Sequence, residues 1–202
     1  MAITTVVFDF GNVLGFFSHR KSAEQVAAYT QVSTEAVQAY LYSGRLEEEY
    51  ESGRISTAAY TSMARETCHL TCTDEQYAVA YSDMFWPNDD VGTLVPHLRP
   101  KYRLLLLSNT NDLHYRQFGE QFRAVLKNFD SLVLSHEVGV RKPKPGIYHE
   151  CLRRAGRPAD ECVFIDDLPT NVEAARACGF HGLVYRRGDD LRGELARLGV
   201  TV

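Results

Sequence analysis

The side chains from which a reaction could be assembled stand far apart along the chain: Asp9, Ser108 with Asn109, Lys142, and the pair Asp166-Asp167. Asp9 closes the apolar run Thr5-Val6-Val7-Phe8 and is followed by Phe10-Gly11-Asn12, whose Gly-Asn pair favours a sharp turn. Ser108 closes Leu104-Leu105-Leu106-Leu107, and Asp166-Asp167 close Cys162-Val163-Phe164-Ile165. Lys142 sits in Arg141-Lys142-Pro143-Lys144-Pro145, downstream of Ser131-Leu132-Val133-Leu134. Carboxylates at Asp9 and Asp167, with Asp166 beside them, make a hard oxygen site suited to Mg²⁺. Packed together they would repel, and each would tend to hold a proton unless a cation intervened. Ser108, the backbone N–H groups beyond it and Lys142 supply donors and positive charge for a phosphoryl group. Asp9 would then be the nucleophile, forming an aspartyl-phosphate. Each piece alone has a plainer reading as a turn acid, a helix cap or a solvated loop lysine. Their joint occurrence, each at a strand end, makes the plain reading of all of them improbable.

The elements that must position these groups are legible from residue 88 onward. A helix at about 89–98 leads to the Leu104–Leu107 strand, and a helix follows from about 111. Strand 131–134, helix 145–155, strand 162–165, helix 170–178, strand 182–185 and helix 189–198 come next. Short apolar strands alternating with amphipathic helices imply an α/β fold: a doubly wound, Rossmann-like parallel sheet covered on both faces. In such a sheet, functional residues collect at the carboxyl ends of the strands. The first strand has no β partner nearby and must join this sheet. Residues 14–19 read as a loop, and from about 20 to 86 the pattern is helical throughout. Tyr77, Ala80, Tyr81, Met84 and Phe85 have helical spacing. Ser33-Thr34 and Ser56-Thr57 are N-cap candidates, and Gly44 and Gly53 are stops. The expected organisation is therefore a core of residues 1–14 and 88–202 interrupted by a helical-bundle insertion, 15–87.

Composition bounds the function class. A length of 202 residues, with 45% hydrophobic and 24% charged, suits a soluble globular chain with a core of its own. The net charge of −4, with no long basic run, argues against nucleic acid, and Tyr185-Arg186-Arg187 is too short to suggest more than a solvated patch. The five cysteines follow no framework spacing. Cys68 and Cys72 flank His69, but no second ligand pair follows, so reduced thiols in a cytoplasmic protein are the simpler expectation. The N-terminal apolar run is broken by Asp9, and no stretch approaches the roughly 18 apolar residues of a membrane span.

In these motifs the chain resembles the haloacid dehalogenase-like hydrolase superfamily, most of whose members are Mg²⁺-dependent phosphatases. The matching pieces are Phe8-Asp9-Phe10-Gly11-Asn12-Val13, Leu107-Ser108-Asn109-Thr110, Lys142-Pro143-Lys144-Pro145-Gly146-Ile147-Tyr148 and Phe164-Ile165-Asp166-Asp167. Within it, Asn111, Leu113-His114 and Glu51-Ser52-Gly53-Arg54-Ile55-Ser56 look most like the bacterial branch of sugar-phosphate phosphatases. The resemblance implies Asp9 as nucleophile and metal ligand, with the Gly11 carbonyl, Asp167 and Asp166 completing the metal site. It implies Ser108, Asn109, Asn12 and Lys142 as the phosphoryl-binding set, and the insertion as a cap. It implies a small phosphorylated metabolite as partner, with a monomer or weak homodimer expected. One departure matters: most such phosphatases carry a second acid two residues after the nucleophile, where this chain has Gly11. His19, Arg45 and Tyr50 are the candidates to face the site from the insertion. The alternatives are a 2-haloacid dehalogenase, against which the Asp166-Asp167 pair argues, and a low-turnover metal-loaded sensor of phosphorylated metabolites.

Overall fold

The computed structural model describes residues 2–42 and 44–202. β1 (Thr5–Phe8) enters the centre of a sheet, and the chain then leaves it for a long excursion. β2 (Gly15–Phe17) pairs antiparallel with β3 (Phe85–Pro87), and between them lie α1 (His19–Ala27), α2 (Thr34–Tyr42), α3 (Arg45–Glu51), α4 (Thr57–Cys68) and α5 (Asp74–Ser82). The return runs through α6 (Asp89–Gly92), α7 (Val95–Leu98), β4 (Arg103–Ser108), α8 (Asp112–Gln121), α9 (Arg123–Leu126), β5 (Ser131–Leu134) and α10 (Ser135–Val138). It ends with α11 (Pro145–Ala155), a 3₁₀ turn at Ala159–Glu161, β6 (Cys162–Asp166), α12 (Pro169–Ala177), β7 (His181–Val184) and α13 (Leu191–Arg197).

The sheet has the order β5-β4-β1-β6-β7, with every pairing parallel. Side chains alternate across it. Val6, Phe8, Leu104, Leu106, Val163 and Ile165 join one apolar cluster, closed by Leu98, Phe118 and Leu195. Val7, Leu105, Leu107, Cys162 and Phe164 join the opposite one, closed by Ile147, Tyr148, Cys151 and Ala175. Burial on both faces explains why these strands read as unbroken apolar runs rather than alternating ones. The chain leaves β1 towards β4 and β5 on one side and returns to β6 and β7 on the other. The switch point therefore falls at the carboxyl end of β1. Register sets Phe8 opposite both Leu106 and Ile165, so Asp9 emerges beside Asp166 and close to Ser108.

The excursion has its own core: Val26, Val37, Leu41, Tyr50, Tyr60, Ala64, Tyr77 and Tyr81. Its caps are where the spacing placed them: Ser33 and Ser56 accept from Ala36 and Ala59 N–H groups at 3.3 and 3.2 Å. Two expectations fail at its ends. The supposed loop 14–19 contains β2, and the helical spacing through Met84 and Phe85 overruns, because α5 stops at Ser82 and Phe85 belongs to β3. The β2–β3 ribbon owes its existence to pairing between segments seventy residues apart, which periodicity within one window cannot register. Asn88 fixes the ribbon to the core, donating to the Val13 carbonyl at 2.7 Å and to the Tyr185 hydroxyl at 3.1 Å. The single helix expected over 89–98 is two short ones, and α10 is a short helix between the expected strand 131–134 and helix 145–155. No described helix is long and apolar enough to cross a membrane.

The excursion also docks on the core beyond β5. Glu48 and Glu51, one turn apart on α3, meet Lys144 at 2.6 Å and Arg141 at 2.8 Å, on either side of Lys142. Gly53 follows with φ +63°, and a Cβ there would lie 2.1 Å from the His136 carbonyl oxygen. Gly53→Ala should therefore cost about 2–4 kcal/mol, combining a left-handed backbone with overlap against rigid main chain. Gly156→Ala, at φ +62° with open space around it, should cost only about 1 kcal/mol. Urea unfolding midpoints compare the two; equal shifts would mean that the α3 turn is not pressed against the core.

Candidate active site

Asp9 leaves β1 with its N–H donating to the Ile165 carbonyl at 2.8 Å, which ties the residue to the end of β6. Its Oδ1 accepts from the Phe10 N–H at 2.7 Å and lies 2.7 Å from Lys142 Nζ. The same ammonium donates to Asp166 Oδ2 at 2.7 Å. Asp166, fully buried, also accepts from Leu168 N–H at 2.9 Å and from Asn171 Nδ2 at 3.0 and 3.1 Å. Tyr148 in turn donates to the Asn171 carbonyl at 2.8 Å. Asp166 is thus held rigidly by α12 and α11, while Asp167 beside it is only half-buried and accepts from Asn12 Nδ2 at 3.0 Å.

Lys142 reaches this place because Asn109 grips its backbone. The Asn109 amide donates to the Lys142 carbonyl at 3.0 Å and accepts from its N–H at 2.8 Å. The Asn109 side chain is therefore committed to positioning the lysine. Ser108 is buried at the end of β4, its Oγ 3.3 Å from the Asn109 carbonyl. Thr110 N–H donates to Ser135 Oγ at 2.9 Å, which fixes the loop after β4 against the start of α10.

Charge is unbalanced here. Carboxylate oxygens of Asp9, Asp166 and Asp167 come within 4.8 Å of one another, and one ammonium serves them. Burial pushes the Asp9 carboxyl up to about 8 against the pull of Lys142, with Asp166 and Asp167 adding to the rise. Burial raises Asp167 as well, opposed by the Asn12 hydrogen bond. Burial alone would depress Lys142, but Asp166 and Asp9 hold it above the ordinary lysine value. A buried excess of negative charge is relieved either by a retained proton or by a cation. Oxygen donors at this spacing fit a hard divalent ion such as Mg²⁺.

Of the insertion residues singled out from sequence, the structure brings only His19 to this place. His19 lines a small cavity of about 50 Å³ with Gly11, Glu51, Ser108, Asn109 and His114. Arg45 points to solvent and pairs with Glu49 at 3.6 Å. Tyr50 is buried against Tyr60, ring centroids 4.2 Å apart, its hydroxyl 3.0 Å from Thr57 Oγ1. Both are corrected: helical spacing cannot tell which face of α3 meets the core. Glu51 and His114 were missed as cavity residues, although both lay inside motifs already noted. Arg186 and Arg187 are exposed, as a solvated patch would be, and border an open groove of about 420 Å³ with Asn12, Trp86 and Asp167. Cys68 and Cys72 belong to no ligand cluster among the described residues; the five cysteines are free, and His69 is the left-handed cap of α4.

A parallel sheet whose switch point carries an acid at the end of β1, a lysine after β5 and an acid pair after β6 defines a Rossmann-like α/β hydrolase. The chain belongs to the haloacid dehalogenase-like hydrolases, matching that family over residues 3–179. It is 25% identical over 200 residues to a D-ribitol-5-phosphate phosphatase of Bacteroides thetaiotaomicron, covering 96% of this chain and 97% of that one. A haloacid dehalogenase family enzyme from the same organism, solved with magnesium and inorganic phosphate, superposes with a TM-score of 0.83 at 26% identity, over 96% of this chain and 99% of that one. An L-2-haloacid dehalogenase of Xanthobacter autotrophicus shares the fold, with a TM-score of 0.66 at 21% identity over 96% and 81% of the two chains.

The excess charge predicts a pH-dependent stability. The folded Asp9 carboxyl is raised to about 8 from an unfolded 3.8. Between those values the unfolded chain releases a proton that the folded chain keeps, so stability falls as pH rises. In chelator, Asp9→Asn should melt higher than wild type, by a margin that widens from pH 5 to pH 8. Mg²⁺ should raise the wild-type midpoint more than the variant's. Thermal melts with parallel responses of both proteins to pH and Mg²⁺ would refute the charge imbalance.

Proposed function

We propose that the protein is a Mg²⁺-dependent phosphomonoesterase that hydrolyses a small phosphorylated metabolite of the sugar-phosphate kind. The observation that carries this reading is Lys142 Nζ set 2.7 Å from both Asp9 and Asp166 at the switch point, with Asp167 alongside. Asp9 is the nucleophile on phosphorus and forms an aspartyl-phosphate that water then hydrolyses. Asp9, Asp167 and the Gly11 carbonyl would hold the ion, with Asp166 ligating directly or through a water. Bound there, Mg²⁺ supplies charge that draws the phosphoryl group onto Asp9.

The chain's own groups do the rest. Lys142 keeps Asp9 oriented and offsets charge on the phosphoryl oxygens. Ser108 and the Asn109 N–H donate to those oxygens, with Asn12 at the same edge; the Thr110 N–H is taken by Ser135. Asn109 serves the phosphoryl site by fixing Lys142. The insertion acts as a cap, and the cavity it closes over Gly11 and Ser108 excludes water and sets the leaving group. The named phosphatase relative acts on a polyol phosphate, which supports the substrate class. Free thiols support a cytoplasmic protein, and a net charge of −4 supports one without nucleic acid as partner; no membrane partner is proposed, and the protein is proposed to be a monomer or weak homodimer.

A phosphate-release screen over sugar, polyol and aryl phosphates, run with Mg²⁺ and with chelator, tests the reading. Wild type should turn over in Mg²⁺ only. Asp9→Asn should fall to background while remaining folded, because it keeps the shape and loses the nucleophile. Sustained turnover by Asp9→Asn, with deamidation excluded by mass spectrometry, would sink the mechanism. Chloride release from a 2-haloacid in excess chelator would favour the dehalogenase chemistry instead.

A further inference from the structure

Position 11 cannot simply regain an acid. A Cβ on Gly11 would lie 2.9 Å from Cε1 of Phe17, whose ring occupies the space a longer side chain would need. Phe17 belongs to β2 and is held in the ribbon opposite Phe85. Yet the small cavity that Gly11 lines with Ser108 and Asn109 is also lined by an acid, Glu51, arriving from the inserted helices.

We propose that Glu51 moves the protons of both phosphoryl-transfer steps, in place of an acid at position 11. The assignment rests on the phosphatase reading above. Glu51 is the last residue of α3 and is 9% exposed. Its Oε2 stands 2.8 Å from Arg141 Nη2 as an ion pair, but without the alignment of a hydrogen bond, so that oxygen has no hydrogen-bond partner. Burial raises its carboxyl, with Arg141 and Lys142 pulling the other way. Glu47, one turn earlier, is pushed up to about 7 by burial and by Glu51. The remaining titratable cavity residues suit the task less. Burial lowers His19 to about 4, and its ring is stacked on Tyr42 at 4.1 Å. Burial lowers His114 to about 3, and its Nδ1 is engaged by Asn111 at 3.0 Å. Lowered in this way, both favour the neutral imidazole, a weaker proton donor to a leaving oxygen.

The steps balance. Asp9 attacks phosphorus, and the bond from phosphorus to the leaving oxygen breaks as that oxygen takes the Glu51 proton. Water then attacks the aspartyl-phosphate and gives one proton to the Glu51 carboxylate. The bond from phosphorus to the Asp9 oxygen breaks, which returns inorganic phosphate, the Asp9 carboxylate and protonated Glu51.

The test compares wild type, Glu51→Gln, Glu51→Asp and His19→Asn in Mg²⁺, by rapid quench, with p-nitrophenyl phosphate and ribitol 5-phosphate. Glu51→Gln should lose about 10²–10⁴-fold in kcat/KM on the ribitol ester, whose leaving oxygen needs a proton. On the nitrophenyl ester kcat/KM should fall less than tenfold, and a burst of one nitrophenolate per enzyme should precede slow turnover. Glu51→Asp, which keeps a carboxyl group, should recover part of the loss. A thermal melt of each variant accompanies the kinetics, and Glu51→Asp carries the comparison if Glu51→Gln is unfolded. Equal losses on both esters without a burst, unchanged kinetics, or a leaving-group-dependent loss in His19→Asn alone would overturn the assignment. Wild type that releases phosphate from neither ester would overturn the phosphatase reading itself, and this assignment with it.

Discussion

One buried ammonium holds the site together. Lys142 Nζ is shared between Asp9 and Asp166, carboxylates delivered by neighbouring parallel strands. Neither strand end could place an ionised acid there unaided, since each acid would be desolvated beside another of like charge. The lysine lies downstream of a third strand, so its arrival depends on the Asn109 side chain clasping its backbone from the end of β4. Four strand ends are therefore mutually conditional, and the remaining negative charge is the reason the arrangement favours a divalent cation.

The inserted helices are tied to the same lysine segment. Glu51 and Glu48 pair with Arg141 and Lys144, the residues on either side of Lys142-Pro143. The Lys144 pair is half-exposed, and such pairs contribute little to stability. The Arg141–Glu51 pair is better shielded, and Glu51 also lines the small cavity beside Gly11. Movement of the insertion would thus be felt at the loop that carries the lysine.

Much of the core was legible because local and global signals agree. The strand at 131–134 and the helix at 145–155 fall where apolar run length and the Pro145 start place them. The carboxyl ends of buried parallel strands are the one region where polar residues interrupt such runs, so Asp9, Ser108 and Asp166 announced themselves. The insertion was legible only as helices. The helical spacing of Tyr77, Ala80 and Tyr81 runs on through Met84 and Phe85, yet backbone pairing with Gly15–Phe17 takes Phe85 into a strand.

The amino-acid sequence by itself determined the alternation of strands and helices, the identity of the acids and the lysine, and the absence of an acid at position 11. These follow from runs, caps and motif spacing within short windows. Tertiary structure alone decided that Asn109 positions the lysine, that Phe17 fills the space beside Gly11, and that α3 turns Glu51 inward while Arg45 faces water. The reason is physical: each of these depends on a contact between segments distant in sequence, and no local periodicity encodes which face of a helix meets which strand end.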